Sequence, residues 1–298
     1  MTADLSVTIG AITLKAPIMP ASGTFGLGYG RVFDLNRLGA LVPKTITLSP
    51  REGHPPPRLT EEAGGLMNAI GIPSVGVEAA IHDVFSRYKA FEPPLVVSIS
   101  GDTVEEFGAL TARLDGVADA LEVNLSCPNL EAGGQAFALD PDATERAVAA
   151  CRRATRLPLW CKLAPHAGRP QEVAKAAEAA GGDALILANT LLAYAVDEAG
   201  APRLANRTGG LSGRPVKPVA LRLVDEAARA VAIPLIGCGG VFTLRDVLDY
   251  FCAGASAVAV GTATFHRATT MVGLIDALDH HCTTKGVAVA DLVARRPS

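Results

Sequence analysis

Aromatic side chains are scarce in this sequence. They make up 5% of its 298 residues, with a single Trp, although the hydrophobic fraction is 49%. That balance predicts an aliphatic core of the kind buried parallel strands provide, rather than an aromatic-rich binding surface. Also missing is any C-x-x-C pair, since the six cysteines stand at 127, 151, 161, 238, 252 and 282. An iron–sulfur cluster needs closely spaced thiolates, so this chain is expected to hold none. Nor is the sequence the short, loop-rich kind that a disulfide framework staples, which predicts reduced thiols and a cytoplasmic setting. A net charge of −3 with no run of like charge offers no handle for a nucleic acid. The N-terminus lacks a cationic start followed by an apolar stretch, and no apolar run is long enough to span a bilayer. A soluble protein without a membrane or nucleic-acid partner is expected.

What the chain does have is a repeating alternation. Aliphatic runs at 17–22, 40–45, 94–100, 120–126, 158–164, 184–190, 233–239 and 257–262 close on Gly, Ser, Asn or Lys. Between them lie Ala-rich segments at helical spacing: TVEEFGALTARL, PDATERAVAACRRAT, PQEVAKAAEAAG, PVALRLVDEAARAV and TLRDVLDYFCAG. Several open on Thr or Pro-Asp and close near Gly, as helix ends do. Eight strands alternating with helices predict an α/β fold, a closed parallel (β/α)8 TIM barrel, in one domain over residues 1–298. An open doubly wound sheet would place G-x-G-x-x-G after its first strand, and SGTFGLGYG lacks that spacing. Two Pro- and Gly-rich stretches, 46–75 after strand two and 193–215 after strand six, interrupt the pattern. Excursions of that length in a compact domain serve as lids or binding loops.

A barrel of this type carries its active site at the C-terminal ends of its strands. Those ends hold Ser22 and Gly23, Lys44 and Thr45, Ser98 and Ser100, Asn124 and Cys127, then Lys162, then Asn189 and Thr190. Strand seven closes on Gly237-Cys238-Gly239-Gly240 and strand eight on Gly261-Thr262. Two lysines, two asparagines, a thiol and hydroxyls on one rim suit a polar, anionic, planar ligand. Glycines after strands seven and eight would free backbone N–H groups for a phosphate, and a helix starting near Thr243 would add its positive end. A tight turn alone would also account for Gly239 and Gly240.

The ordered motifs PASGTFG, KTIT, NAIGI, NLSCPN, CKLAP, ANT, NRTGGLSG, GCGGV and VAVGTATF resemble the class 1 dihydroorotate dehydrogenases, nearest their NAD-linked, two-subunit branch. The resemblance covers residues 5 to 265. It implies an FMN-binding (β/α)8 barrel that oxidises dihydroorotate to orotate in pyrimidine synthesis. It implies Cys127 as the base that takes the C5 proton while FMN N5 accepts hydride from C6. A thiol pKa of about 8.5 lies close enough to working pH for that task. For Cys151 and Cys252, on helices, the ordinary fate of a free cysteine is expected: buried and inert.

By the same resemblance Asn68, Asn124, Asn129, Asn189 and Thr190 cradle the substrate, with backbone contacts from Ala69, Ile70, Gly71 and Ile72. Carboxamides donate and accept in one plane, as an imide edge requires. Lys44 would sit between substrate and flavin, and Lys162 near flavin N1, where a cation stabilises the charge of the reduced form. Flavin contacts would also come from Ser22, Thr45, Ser98, Asn124, Ala188, Gly213, Gly239, Gly240, Gly261 and Thr262. Ser98 and Ala188 depart from the family, which usually carries an Asn and a larger aliphatic residue there. Gly133-Gly134 would let the loop after the cysteine move as a lid. The two-subunit branch passes electrons to NAD through a separate partner that carries FAD and a 2Fe–2S cluster, built on a homodimer core or a heterotetramer. Two other readings stay open: a dihydropyrimidine dehydrogenase-like flavoenzyme, and a non-catalytic barrel subunit that binds FMN or phosphate.

Overall fold

Seven of the eight aliphatic runs become regular parallel strands in a computed structural model of the chain. The structure describes residues 3–62, 64–126, 128–129, 135–166 and 168–293, with 128–129 and 135–136 described for their backbone. The strands are β1 (Ile18–Pro20), β2 (Val96–Ile99), β3 (Ala120–Asn124), β4 (Leu159–Lys162), β5 (Ala184–Leu187), β6 (Leu235–Cys238) and β7 (Ala257–Val260). Every residue in them is buried. A strand covered on both faces has no solvent side, which is why these read as unbroken apolar runs and not as alternation. Their order in the sheet is β1-β7-β6-β5-β4-β3-β2, so β2 to β7 lie side by side in chain order, the first strand pairs with the last, and β1 and β2 form the two edges.

The strand expected over 40–45 is not a regular one. Two isolated parallel bridges, Leu41 with Leu95 and Ile46 with Ile99, stand in its place. Pro43 lies between them and has no N–H to donate to a ladder. Residues 39–46 nevertheless bond to both edges of the sheet. Gly39 N donates to Ile18 O at 2.9 Å, Val96 N to Leu41 O at 2.9 Å, and Ile46 N to Ser98 O at 2.9 Å. Among the described residues the regular parallel sheet therefore has seven strands, where eight were expected.

All five expected helices form: α1 (Val104–Leu114), α2 (Pro141–Ala154), α3 (Pro170–Ala179), α4 (Lys217–Ala228) and α5 (Leu244–Cys252). Their starts are written locally. Thr103, Asp140 and Thr243 each accept a hydrogen bond from a first-turn amide, and Pro141 and Pro170 open their helices at positions that need no donor. A sixth long helix, α6 (Thr270–Lys285), was not anticipated; it ends at Gly286 in the left-handed region with φ of 63°. Its Met271, Leu274, Ile275, Leu278 and Cys282 recur at three- and four-residue spacing and join the core. Cys151 is buried as expected, but Cys252, the last residue of α5, is exposed.

A second, antiparallel sheet has the order 191–194, 208–213, 65–68, 59–62. Its strands come from residues in or beside the two Pro- and Gly-rich stretches, which pair with each other through Gly210 with Asn68 and Ser212 with Leu66. Met67, Ala69, Ala195 and Leu204 give it a small core of its own. Among the described residues no helix is long and apolar enough to cross a membrane.

Candidate active site

The C-terminal ends of the parallel strands and the antiparallel sheet enclose a cavity of about 520 Å³. That volume is typical of a cofactor or small-molecule site. Ser22 enters just after β1, Lys44 and Thr45 from the segment beside β2, Asn124 from the last position of β3, and Lys162 from the last position of β4. Ala188, Asn189 and Thr190 follow β5; Gly239 and Gly240 follow β6; Gly261 and Thr262 follow β7. Asn68, Ile70, Gly71, Ile72 and Gly213 line the side formed by the antiparallel sheet and its continuation. Residues from across the chain thus face one space.

Two expected contacts do not reach it. Ser98 is fully buried beneath Thr45, to whose Oγ1 its own Oγ lies at 2.9 Å. Ala69 packs into the small core of the antiparallel sheet, and its carbonyl lies 3.2 Å from His54 Nδ1. Cys127, Gly133 and Gly134 lie outside the described residues, as does the side chain of Asn129.

The carboxamides are held in fixed orientations. Asn189 Nδ2 donates to Asn124 Oδ1 at 3.2 Å, and the same oxygen accepts from Ser126 N at 3.3 Å. Asn189 Oδ1 accepts from Thr190 N at 2.8 Å, and Asn68 Nδ2 donates to Gly210 O at 3.3 Å. Each amide is thereby locked about its terminal torsion, which otherwise flips between two states of similar energy.

Beneath the cavity runs a buried polar chain that includes a carboxylate the sequence reading overlooked. Glu122 Oε1 accepts from Ser98 Oγ at 2.8 Å and from Ser22 Oγ at 2.5 Å, and lies 3.6 Å from Lys162 Nζ. Lys162 also donates to Ser22 at 3.1 Å. The signal was available: a charged residue inside an otherwise apolar strand, two positions before Asn124 and so on the same face. Burial works to lower the Lys162 pKa, but the groups around it, Glu122 first and then Cys238, together outweigh burial, and the lysine is held above its usual value. At Lys44 burial, followed by the neighbouring Lys162 charge, holds the pKa below the usual lysine value. Its amine lies beside Gly23, where a side-chain carbon would sit 3.4 Å from Lys44 Nζ.

The glycine pair after β6 turns through conformations closed to most residues, with φ of 134° at Gly239 and 67° at Gly240. A side chain on Gly240 would approach Lys217 Cβ to 2.6 Å. Tyr250 Oη donates to Gly239 O at 2.6 Å and fixes the turn from below. The helix start expected to favour a phosphate is used differently. Asp246 Oδ2 accepts from Phe242 N at 3.0 Å and Thr243 N at 2.8 Å, so a capping box takes up these amides. Arg51, His54 and Ser212 also line the cavity and were missed: the first two lie in SPREGHPPPRL, which reads as loop composition with no periodicity, and Ser212 lies in NRTGGLSG, where only Gly213 was singled out. Arg51 is paired with Asp102 at 2.6 Å.

A buried cation at Lys162 and a half-buried one at Lys44, locked amides and an open glycine turn form a donor set suited to a planar, hydrogen-bonding ring system bearing an anionic tail. The profile of the dihydroorotate dehydrogenase family matches residues 4–281. Three similar curated proteins bear the name dihydroorotate dehydrogenase B (NAD(+)), catalytic subunit. That of Desulforudis audaxviator is 47% identical over 292 residues, covering 96% of this chain and 95% of its own length. Those of Pelobacter propionicus and Trichlorobacter lovleyi are 45% and 44% identical, covering 98% and 95% of this chain and 98% and 95% of their own lengths. A profile match across nearly the whole chain, with near full-length relatives on top of a site of matching chemistry, gives one conclusion: the chain belongs to the dihydroorotate dehydrogenase family.

Proposed function

We propose that this chain is the catalytic subunit of a B-type dihydroorotate dehydrogenase, oxidising dihydroorotate to orotate in pyrimidine biosynthesis with FMN as its cofactor. The observation that carries the reading is the meeting of Lys44, Lys162 and the Asn124–Asn189 pair at one cavity. Orotate is planar, and its dihydro form, tetrahedral at C5 and C6, shares the flat imide edge for carboxamides and the carboxylate for a cation. The residues present also fit FMN. Lys162 supplies a buried positive charge for a ring that becomes anionic on reduction, and Gly239, Gly240, Gly261 and Thr262 supply backbone and hydroxyl groups for a phosphate. Ser22, Thr45, Ala188 and Gly213 complete that side, while Ser98 acts from beneath through Thr45 and Glu122.

When bound, FMN supplies the two-electron acceptor that amino-acid side chains lack. The remaining work falls to the chain itself. Asn68, Asn124, Asn129, Asn189 and Thr190 orient the dihydropyrimidine, with the backbone of residues 70–72 beside them. Lys44 offsets the substrate carboxylate. Cys127 takes the C5 proton, a role that needs a thiolate within reach of that carbon. We read residues 39–46 as occupying the place of an eighth strand, closing a (β/α)8 barrel around this site, with the antiparallel sheet as its rim. Electrons leave, on this reading, through a separate subunit carrying FAD and a 2Fe–2S cluster, in an assembly built on a homodimer core or a heterotetramer.

The test is an absorbance spectrum of the purified chain before and after anaerobic dihydroorotate. Flavin absorbance that bleaches on addition supports cofactor, substrate and half-reaction together. Flavin that stays oxidised with dihydroorotate but bleaches with dihydrouracil would move the substrate to another dihydropyrimidine. Failure to take up flavin, even after FMN is added, would leave a non-catalytic barrel.

A further inference from the structure

One charged group in this region lines no part of the cavity. Glu122 projects from the middle of β3 with its side chain 3% exposed, beside Lys162 at 5%. Removing a carboxylate from water this completely is costly unless it is paired and hydrogen-bonded. Its Oε1 meets both conditions, accepting from Ser22 and Ser98 and facing Lys162 Nζ. With the Ser98 hydroxyl donating to Glu122, the Thr45–Ser98 contact runs with Thr45 as donor. Two relays therefore end on a single oxygen. One runs from Lys162 through Ser22, the other from Thr45 through Ser98. Lys162 and Thr45, the outer members of the two relays, line the cavity together with Ser22.

The charges around the site explain why an anion belongs there. Lys44 and Lys162 face the same space, and two ammonium groups in a poorly hydrated site repel each other. Glu122 opposes that repulsion at both: it acts against burial at Lys44, whose pKa still lies below the usual value, and at Lys162, whose pKa lies above it. On β6, Cys238 is held above the ordinary thiol range by burial and so stays neutral at neutral pH. The groups facing Lys162 are thus Glu122 on β3, Lys44 on the 39–46 segment, Cys238 on β6 and the Ser22 hydroxyl after β1. Among these described groups Glu122 is the single anion.

We propose that Glu122 is a positioning residue: its carboxylate, acting directly and through Ser22, keeps Lys162 a cation at the cavity and lets Lys44 remain a second one. This rests on the reading of the cavity as a flavin and dihydroorotate site. Its central claim concerns Lys162 alone and is testable with neither ligand present.

Glu122→Gln removes the charge while its carboxamide oxygen can still accept from Ser22 and Ser98, so the hydrogen-bonded frame survives. In flavin-free protein labelled at lysine Cε with carbon-13, the Lys162 signal is identified by its loss in Lys162→Met. Its titration in Glu122→Gln should fall by about 1–3 pH units relative to the native chain, the effect of losing an opposite charge at this range. Lys162 titrating at the same pH in both proteins would overturn the proposal. Glu122→Asp, which keeps the charge, should restore most of the native titration, and it stands in if the Gln variant does not fold. An Asp variant in which Lys162 titrates as low as without any anion would likewise count against it.

With FMN bound, Glu122→Gln should make the cofactor harder to reduce, and that shift should vanish in a Lys162→Met background, where no cation remains to be held. Equal shifts in both backgrounds would mean that Glu122 acts on the fold and not through Lys162. If the Lys162 titration behaves as stated yet dihydroorotate fails to bleach the flavin, the functional reading falls and the positioning role stands.

Discussion

Asn124 and Asn189 are 65 residues apart in sequence and meet through a hydrogen bond of 3.2 Å. Deleting Asn189 removes its own contacts to substrate and one of the bonds that orient Asn124, so Asn189→Ala should raise the KM for dihydroorotate by about 10- to 100-fold, the cost of one or two lost hydrogen bonds. Flavin retention should be unaffected; steady-state kinetics beside the flavin-to-protein ratio would check both. Cys127→Ala should lower the rate of anaerobic flavin reduction by at least about 10²–10⁴-fold while sparing flavin binding, the range expected for a lost general base. Turnover close to the native rate would remove Cys127 from that role. Lys44 adds a pH prediction with a definite sign. Its pKa is held below that of an ordinary lysine, chiefly by burial, so the ammonium is present below that lowered value and lost above it. Orotate affinity should therefore fall as pH rises, and do so before ordinary lysines titrate. A fluorescence or flavin-absorbance titration of orotate across alkaline pH reads this directly.

At the level of single elements, local chemistry explains both what could be read and what could not. The helices were legible because their ends are: Thr103, Asp140 and Thr243 are caps three residues ahead of the amides they accept from. Helix α6 separates its apolar and polar faces least of the six, and no strong cap marks its start; Thr269 makes no side-chain cap bond. Residues 40–45 looked like a strand because Ala40, Leu41 and Val42 are apolar and buried, yet Pro43 cannot join a ladder. The α5 cap is also a place to test stability. Asp246 accepts from Phe242, Thr243 and Lys217, and Lys217 is shared with Asp249 at 2.7 Å. Asp246→Ala should destabilise the protein by about 1–3 kcal/mol, seen as a lower urea midpoint. Burial favours protonating this carboxyl, but Lys217 and the cap amides hold its pKa below the usual range. Its contribution is thus complete above the ordinary carboxylate pKa and fades as pH falls towards the lowered one. A native-minus-variant difference in stability that shrinks on acidification would bear this out.

For the molecule as a whole, the decisive fact is that the cavity lies where two sheets of different construction meet. Strand ends of the parallel sheet supply Lys162, Asn124 and the glycines, and the antiparallel sheet supplies Asn68 and Gly213. A ligand seated there touches both, so its binding free energy acts on the whole fold. FMN at 100 times its dissociation constant should stabilise the protein by about 2.7 kcal/mol and raise the melting temperature of the flavin-free chain by about 5–10 °C. Thermal scans with and without FMN would show it, and an unmoved transition would argue that the cavity is not a flavin site.

By itself the sequence determined most of the strand and helix alternation, the strand ends that carry Asn124, Lys162 and Asn189, and the family. Apolar runs, caps and glycine turns act over a few residues, so they can be read one stretch at a time. Only the tertiary structure decided that Ser98 and Ala69 point away from the cavity, and that the two Pro- and Gly-rich stretches pair into one sheet. It alone revealed that Glu122 stands under Lys162. Ser22 and Glu122 lie 100 residues apart, and Glu122 and Lys162 sit on adjacent strands whose register places Lys162 opposite Asn124. No local pattern encodes such a meeting, because it exists only once the strands have aligned.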